Sequence, residues 1–170
     1  MNQKILITGG IKSGKSIFAE KITLSFGKKS TYIATAEIID KEMRERIAIH
    51  KKRRKDEWYE YESSIDLIST LNKVKSDSPI LIDCITLWIN NLFYKKKDWE
   101  TEVKKFSNFL LNYNQPIVIV TNEVGSGLIS MHKLSRRFQD ANGTTNQILA
   151  AVCDEVYVVT SGIPVKIKGN

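Results

Sequence analysis

The run GGIKSGKS, residues 9–16, constrains this chain more than any other feature. It places Gly9, four intervening residues, and then Gly14-Lys15-Ser16. An apolar run, KILIT at Lys4–Thr8, leads in, and beyond Lys15 the apolar positions Phe18, Ile22 and Phe26 recur on one face of a helix that Gly27 stops. Strand, glycine loop and helix in that order is the context in which this spacing cradles phosphates. Backbone N–H groups must converge on phosphate oxygens, and side chains at Gly10 and Gly14 would obstruct them. Gly9, Gly10, Ile11, Lys12, Ser13, Gly14, Lys15 and Ser16 are therefore candidate contacts to a nucleoside triphosphate. Lys15 is assigned to the terminal phosphates and the Ser16 hydroxyl to magnesium. The other reading of the motif is a glycine turn that binds nothing.

Further along, strands and helices alternate. TYIAT at Thr31–Thr35, ILIDC at Ile80–Cys84 and IVIVTN at Ile117–Asn122 read as strands, with Val156–Thr160 and Val165–Lys168 closing the chain. Helices are expected from Asp40 to about Arg54, over Ile65–Val74, Leu87–Tyr94 and Trp99–Tyr113, and in two pieces, Lys133–Asp140 and Asn146–Val152, separated by Gly143. Trp58–Glu62 reads as a polar stretch between elements. The alternation predicts an α/β fold with a mostly parallel sheet and helices on both faces.

The chain has 170 residues, 42% of them apolar, which suits one compact domain over residues 1–170. No stretch approaches the roughly 20 apolar residues of a membrane span, and no signal-peptide pattern opens the sequence, so the cytoplasm is expected. With Cys84, Cys153, His50 and His132 in separate segments, a zinc site is excluded. The net charge of +7 is spread over many lysines rather than gathered into a tail, and no nucleic-acid-binding motif accompanies it.

Two further features bear on chemistry. Asp83 closes an aliphatic strand, where phosphate-loop proteins keep a carboxylate for the metal; a helix N-cap is the competing role. On the helix from Asp40, residues Arg46, His50 and Arg53 fall within a stripe roughly 60° wide, which sets an imidazole between two guanidiniums. Such a face suits an anion, and neutral imidazole can attack phosphorus; a solvated basic face is the alternative.

Taken together, the motifs resemble the bifunctional adenosylcobinamide kinase / adenosylcobinamide-phosphate guanylyltransferase family nearly end to end. The resemblance is carried by GGIKSGKS, YIATA at Tyr32–Ala36, DKEMRERIAIHKKRR at Asp40–Arg54 with Trp58 and Glu62, and LIDCITLWINN at Leu81–Asn91. TNEVGSGLI at Thr121–Ile129, LSRRFQDANGTTNQ at Leu134–Gln147 and DEVYVVTSGIPVKIK at Asp154–Lys168 complete it. It implies a RecA-like P-loop NTPase domain that phosphorylates adenosylcobinamide with a nucleoside triphosphate, GTP or ATP. The same domain then passes GMP from GTP to the phosphorylated corrinoid through a guanylylated His50. It also implies that Ala34, Thr35, Ala36, Lys51, Lys52, Arg53 and Arg54 line the guanine nucleotide site, with Arg46 beside them, that Glu62 and Asp83 add polar contacts, that Mg2+ sits on Ser16 and Asp83, and that the protein is a homotrimer. The chain departs from the family pattern at Lys12 (usually arginine), at Ser130 (commonly proline) and at Gln139 (usually arginine). A simple small-molecule kinase, in which the arginines form only a lid, is the nearest rival; a regulatory NTPase is the more distant one, and TNEV stands where a common GTPase would carry NKxD.

Overall fold

The β-branched runs ILIT, YIA, ILI, IVIV and VYVV offer almost no polar face to water, so they are stable only inside a sheet covered on both sides. The computed structural model describes residues 3–27, 29–37, 57–75 and 77–169. Among these, the order is β1 (Lys4–Gly9), α1 (Lys15–Ser25), β2 (Ser30–Ala34), β3 (Trp58–Glu62), α2 (Leu67–Leu71), β4 (Ile80–Asp83), α3 (Ile85–Tyr94), α4 (Trp99–Leu111), β5 (Ile117–Val120), α5 (Lys133–Val152), β6 (Glu155–Thr160) and β7 (Ile163–Lys168). The strands form one seven-stranded sheet in the order β3-β2-β4-β5-β1-β6-β7. Neighbouring strands run parallel except β6 and β7, which pair antiparallel. This is the mostly parallel α/β sheet that the alternation of strands and helices predicts. Strand β5 separates the loop-bearing β1 from the β4 strand that ends in Asp83.

Alternation along the strands divides the core into two layers. Ile5, Ile7, Leu81, Val118 and Val120 face α1, where Ala19 is wholly buried and Phe18 meets Tyr157 edge-on with ring centroids 5.2 Å apart. Leu6, Ile33, Ile80, Ile82, Ile117 and Ile119 face the opposite way, onto α2 to α5, where Trp88 and Phe106 lie buried at 5.6 Å. Helix starts are capped where the sequence offers a short carboxylate: Asp66 accepts from Ser69 N–H and Asp98 from Thr101 N–H.

Several elements differ from expectation. Trp58–Glu62 is not a connecting stretch but the edge strand β3, paired with β2 in full register. Alternation sets half-buried Tyr59 and Tyr61 on one face and exposed Glu60 and Glu62 on the other, where Trp58 at the start of the strand is buried, a period-2 signal that the segment's polarity obscures. Helix α5 runs unbroken through Gly143, because Leu149 and Ala141 on either side are anchored in the core. Helix α2 is shorter than expected, ending at Leu71. Gly27 lies beyond the C-cap Phe26, and its missing Cβ spares a 3.1 Å approach to Pro79 Cγ. The helix expected from Asp40 to Arg54 lies outside the described residues. No helix among the described residues is long and apolar enough to cross a membrane.

Candidate active site

Parallel strands end at one edge, so residues far apart in sequence arrive side by side. In register, Ala34 at the end of β2 stands opposite Glu62 of β3 on one side and Asp83 of β4 on the other, and Asp83 stands opposite Val120 of β5. Gly9 ends β1 at the same edge, so the glycine loop, Ala34–Ala36, Glu62 and Asp83 are brought together by sheet geometry alone.

The loop is held from below. Gly14 takes φ 95°, a left-handed conformation that favours glycine, and a Cβ there would sit 3.1 Å from Gly162 Cα. A Cβ on Gly9 would run into the Val159 carbonyl oxygen and the Ser13 hydroxyl. The β6–β7 turn, Ser161-Gly162, supports the loop from β6: Gly162 N–H donates to Ser13 O at 2.8 Å. At its tip Ile11 and Lys12 are exposed, while the Ser13 hydroxyl is buried without a partner among the described residues. Lys15 opens α1 and is only 9% exposed; its ammonium reaches back across the loop to donate to Gly10 O at 3.0 Å. Burial lowers its pKa below the ordinary value, and the nearby Asp83 carboxylate opposes that shift.

Asp83 does not cap α3. The N-cap there is Cys84, with no side-chain cap bond, and one carboxylate oxygen of Asp83, Oδ2, accepts instead from the Tyr32 hydroxyl at 3.1 Å. Cys84 itself is no nucleophile: burial first, and then Asp83, push its thiol up to about 12. Thr35 is wholly buried, and its hydroxyl donates to Cys84 O at 2.7 Å and accepts from Cys84 N–H at 2.8 Å. Its side chain clasps β2 to the start of α3, leaving half-buried Ala34 and Ala36 to face outward. Behind them Asn91 of α3 donates to Thr35 O and Ser64 O at 2.7 and 3.0 Å.

Sequence reasoning overlooked a polar cluster at the end of β5. Thr86, Thr121, Asn122, Asn142 and Asn146 interlock through bonds of 2.7 to 3.3 Å, and Glu123 N–H donates to Gly9 O at 3.0 Å. The available signal was Asn142 and Asn146, one turn apart on the apolar face of α5. Gln139, on that same face, donates to Val124 O at 3.1 Å and so holds this loop. Arg46, His50, Lys51, Lys52, Arg53 and Arg54 lie outside the described residues.

Comparison with known proteins agrees with this architecture. Residues 5–167 match the family model described as cobinamide kinase / cobinamide phosphate guanyltransferase. The chain is 37% identical over 170 residues to the bifunctional adenosylcobalamin biosynthesis protein CobP of Pseudomonas aeruginosa, covering 97% of each chain. It is also 37% identical over 181 residues to the bifunctional adenosylcobalamin biosynthesis protein CobU of Salmonella typhimurium, covering 96% of this chain and 99% of the relative. A solved structure from Pyrococcus horikoshii OT3 superposes with a TM-score of 0.57 at 13% identity, over 98% of this chain and 86% of that one, a likeness of fold alone.

Proposed function

Because the chain belongs to the cobinamide kinase / cobinamide phosphate guanyltransferase family, we propose that the carboxyl edge of its sheet carries out both reactions on one nucleotide site. In the first, the acceptor hydroxyl of adenosylcobinamide attacks the γ-phosphorus of a nucleoside triphosphate and the diphosphate leaves. In the second, His50 attacks the α-phosphorus of GTP and the bond to pyrophosphate breaks. A phosphate oxygen of the phosphorylated corrinoid then displaces His50 from the GMP, giving adenosylcobinamide-GDP. The observation that supports this reading best is the glycine loop, with Lys15 held across it at 3.0 Å from Gly10 O and poised to turn onto phosphate oxygens.

The loop residues 9–16 take the triphosphate. Ala34, Thr35, Ala36 and Glu62 line the adjoining nucleotide surface, the side chain of Thr35 acting only through the chain it holds. Arg46, Lys51, Lys52, Arg53 and Arg54 offset charge around His50. The donor set suits Mg2+: a hydroxyl at Ser16 and a carboxylate at Asp83 whose Oδ2 alone is engaged among the described residues, both hard oxygen donors. Among the described residues no three His, Cys, Asp or Glu side chains converge, as fits an ion that takes most of its ligands from phosphates and water. When bound, such an ion neutralises charge developing on the phosphate oxygens.

We also assign a homotrimer and a cytoplasmic location. Leu128, Ile129 and Met131, 95%, 81% and 95% exposed, form apolar surface that a second subunit would cover; both cysteines are free, which suits a reducing compartment. The trimer is tested by sedimentation: the native chain should run at three times its mass and Leu128→Asp should shift toward the monomer.

The decisive experiment is incubation with magnesium and GTP labelled at the α-phosphate, followed by mass spectrometry. One GMP adduct on the peptide containing His50 is expected, labile to acid and stable to alkali, while His50→Ala should lose the adduct and keep kinase activity. An unlabelled protein that still phosphorylates cobinamide would reduce the chain to the simple kinase.

A further inference from the structure

The TNEVGSG loop after β5 is conspicuous in the sequence, yet the two reactions above leave it without a task. We propose that Glu123 is the catalytic carboxylate that removes the proton from the corrinoid hydroxyl in the kinase reaction; this rests on the kinase reading given above.

Glu123 stands three residues beyond the end of β5, the strand between the glycine loop's β1 and the Asp83 strand β4. It therefore emerges from the sheet edge between the groups that hold the phosphates and the carboxylate assigned to the metal. Its backbone N–H donates to Gly9 O at 3.0 Å, which ties it to the first residue of the phosphate loop.

The side chain is held as closely as the backbone. Oε1 accepts from Gly125 N–H at 2.7 Å, and a Cβ at position 125 would come within 3.1 Å of that oxygen, so glycine lets the loop close on the carboxylate. On one flank Asn122 N–H donates to the Thr86 hydroxyl at 2.7 Å, and Asn122 O accepts from Asn142 and Asn146 at 2.8 and 3.2 Å. On the other, Val124 O accepts from Gln139 at 3.1 Å.

An exposed glutamate on a loop is ordinarily solvated and untethered. Here helices α3 and α5 fix the residues on both sides of it, while the carboxylate remains exposed and forms no ion pair among the described residues. Preorganisation of that kind is what proton transfer at a fixed atom requires. An unpaired carboxylate keeps an oxygen available to accept.

The step balances without another reactant. The corrinoid oxygen forms a bond to the γ-phosphorus, the bond from that phosphorus to the β,γ-bridging oxygen breaks, and the electron pair leaves with the nucleoside diphosphate. The hydroxyl proton passes to the Glu123 carboxylate and from there to water. Guanylyl transfer makes no such demand, because its nucleophiles are an imidazole nitrogen and a phosphate oxygen that carry no proton at the attacking atom.

Glu123→Gln tests this, since the amide oxygen still accepts from Gly125 N–H and the loop keeps its brace. The expected result is a fall of about 10²- to 10⁴-fold in kcat for cobinamide phosphorylation. KM for the nucleotide should stay within about threefold, and GMP adduct formation on the protein should be unchanged. A kinase loss under about tenfold, or an equal loss of adduct formation, overturns the role of Glu123. Native protein that phosphorylates no cobinamide would instead overturn the kinase reading itself, and this inference with it.

Discussion

Lys15 carries the sharpest conflict between stability and activity in the molecule. Its ammonium is buried to 9% exposure against the loop it serves, and burial holds its pKa down. The unfolded chain therefore binds the proton more tightly than the folded one. Stability should rise as pH climbs from the lowered folded value toward the ordinary 10.5, and that gain should vanish in Lys15→Met. The same variant should melt no lower than the native chain at neutral pH and yet lose about 10²- to 10³-fold in kinase kcat, because a charge aimed at transferred phosphate is gone. Thermal melts from neutral to alkaline pH and a steady-state assay check both halves.

Thr35 makes a related point at the same scale. The motif placed it in the nucleotide site, but its hydroxyl is used on both sides of the Cys84 peptide, 49 residues away. Replacing it with valine leaves the buried Cys84 N–H unpaired, while Cys84 O keeps its bond from Trp88 N–H at 3.2 Å, so Thr35→Val should cost about 1–3 kcal/mol of stability by denaturant titration. Asp83, by contrast, was open to two readings in the sequence, and the unassisted Cys84 cap removes one of them.

Among the elements, α5 shows how tertiary contacts override local propensity. A glycine at its centre argues for a break, but the helix spans Lys133–Val152 without one, because both halves present buried residues to the same core and its amides reach the β5 loop. Nothing lies within 4 Å of a Cβ built on Gly143. Gly143→Ala should therefore stabilise the fold by about 0.5–1 kcal/mol and raise Tm by roughly 1–4 °C without changing either activity. A fall in Tm on calorimetry would mean that the helix needs the glycine for something the space around it does not reveal. Strand β3 makes the opposite case. Its WYEYE alternation was present in the sequence, but its strand character depends on β2 lying beside it to accept the pairing.

At the scale of the whole molecule, the site exists because parallel strands deliver their carboxyl ends to one edge. A ligand bound as proposed would bridge β1, β2 and β4 and should stabilise all three together. Magnesium and GTP at about 100 times Kd should add about 2.7 kcal/mol to the stability of the native chain and nothing to Lys15→Met, read as a shift in Tm.

The phosphate loop, the strands feeding it and the family were determined by the sequence alone. Each is written in residues that are adjacent in the chain: a glycine spacing, an aliphatic run, a histidine between arginines. The tertiary structure alone decided which strands are neighbours, that Thr35 turns inward, and that Glu123 is tied to Gly9 while helix α5 holds the loop around it. Those facts join groups 15 or more residues apart, such as Gln139 with Val124, Asn142 with Asn122 and Asn91 with Thr35. No local pattern encodes such pairs, because the energy that selects them appears only once the sheet has closed around its core.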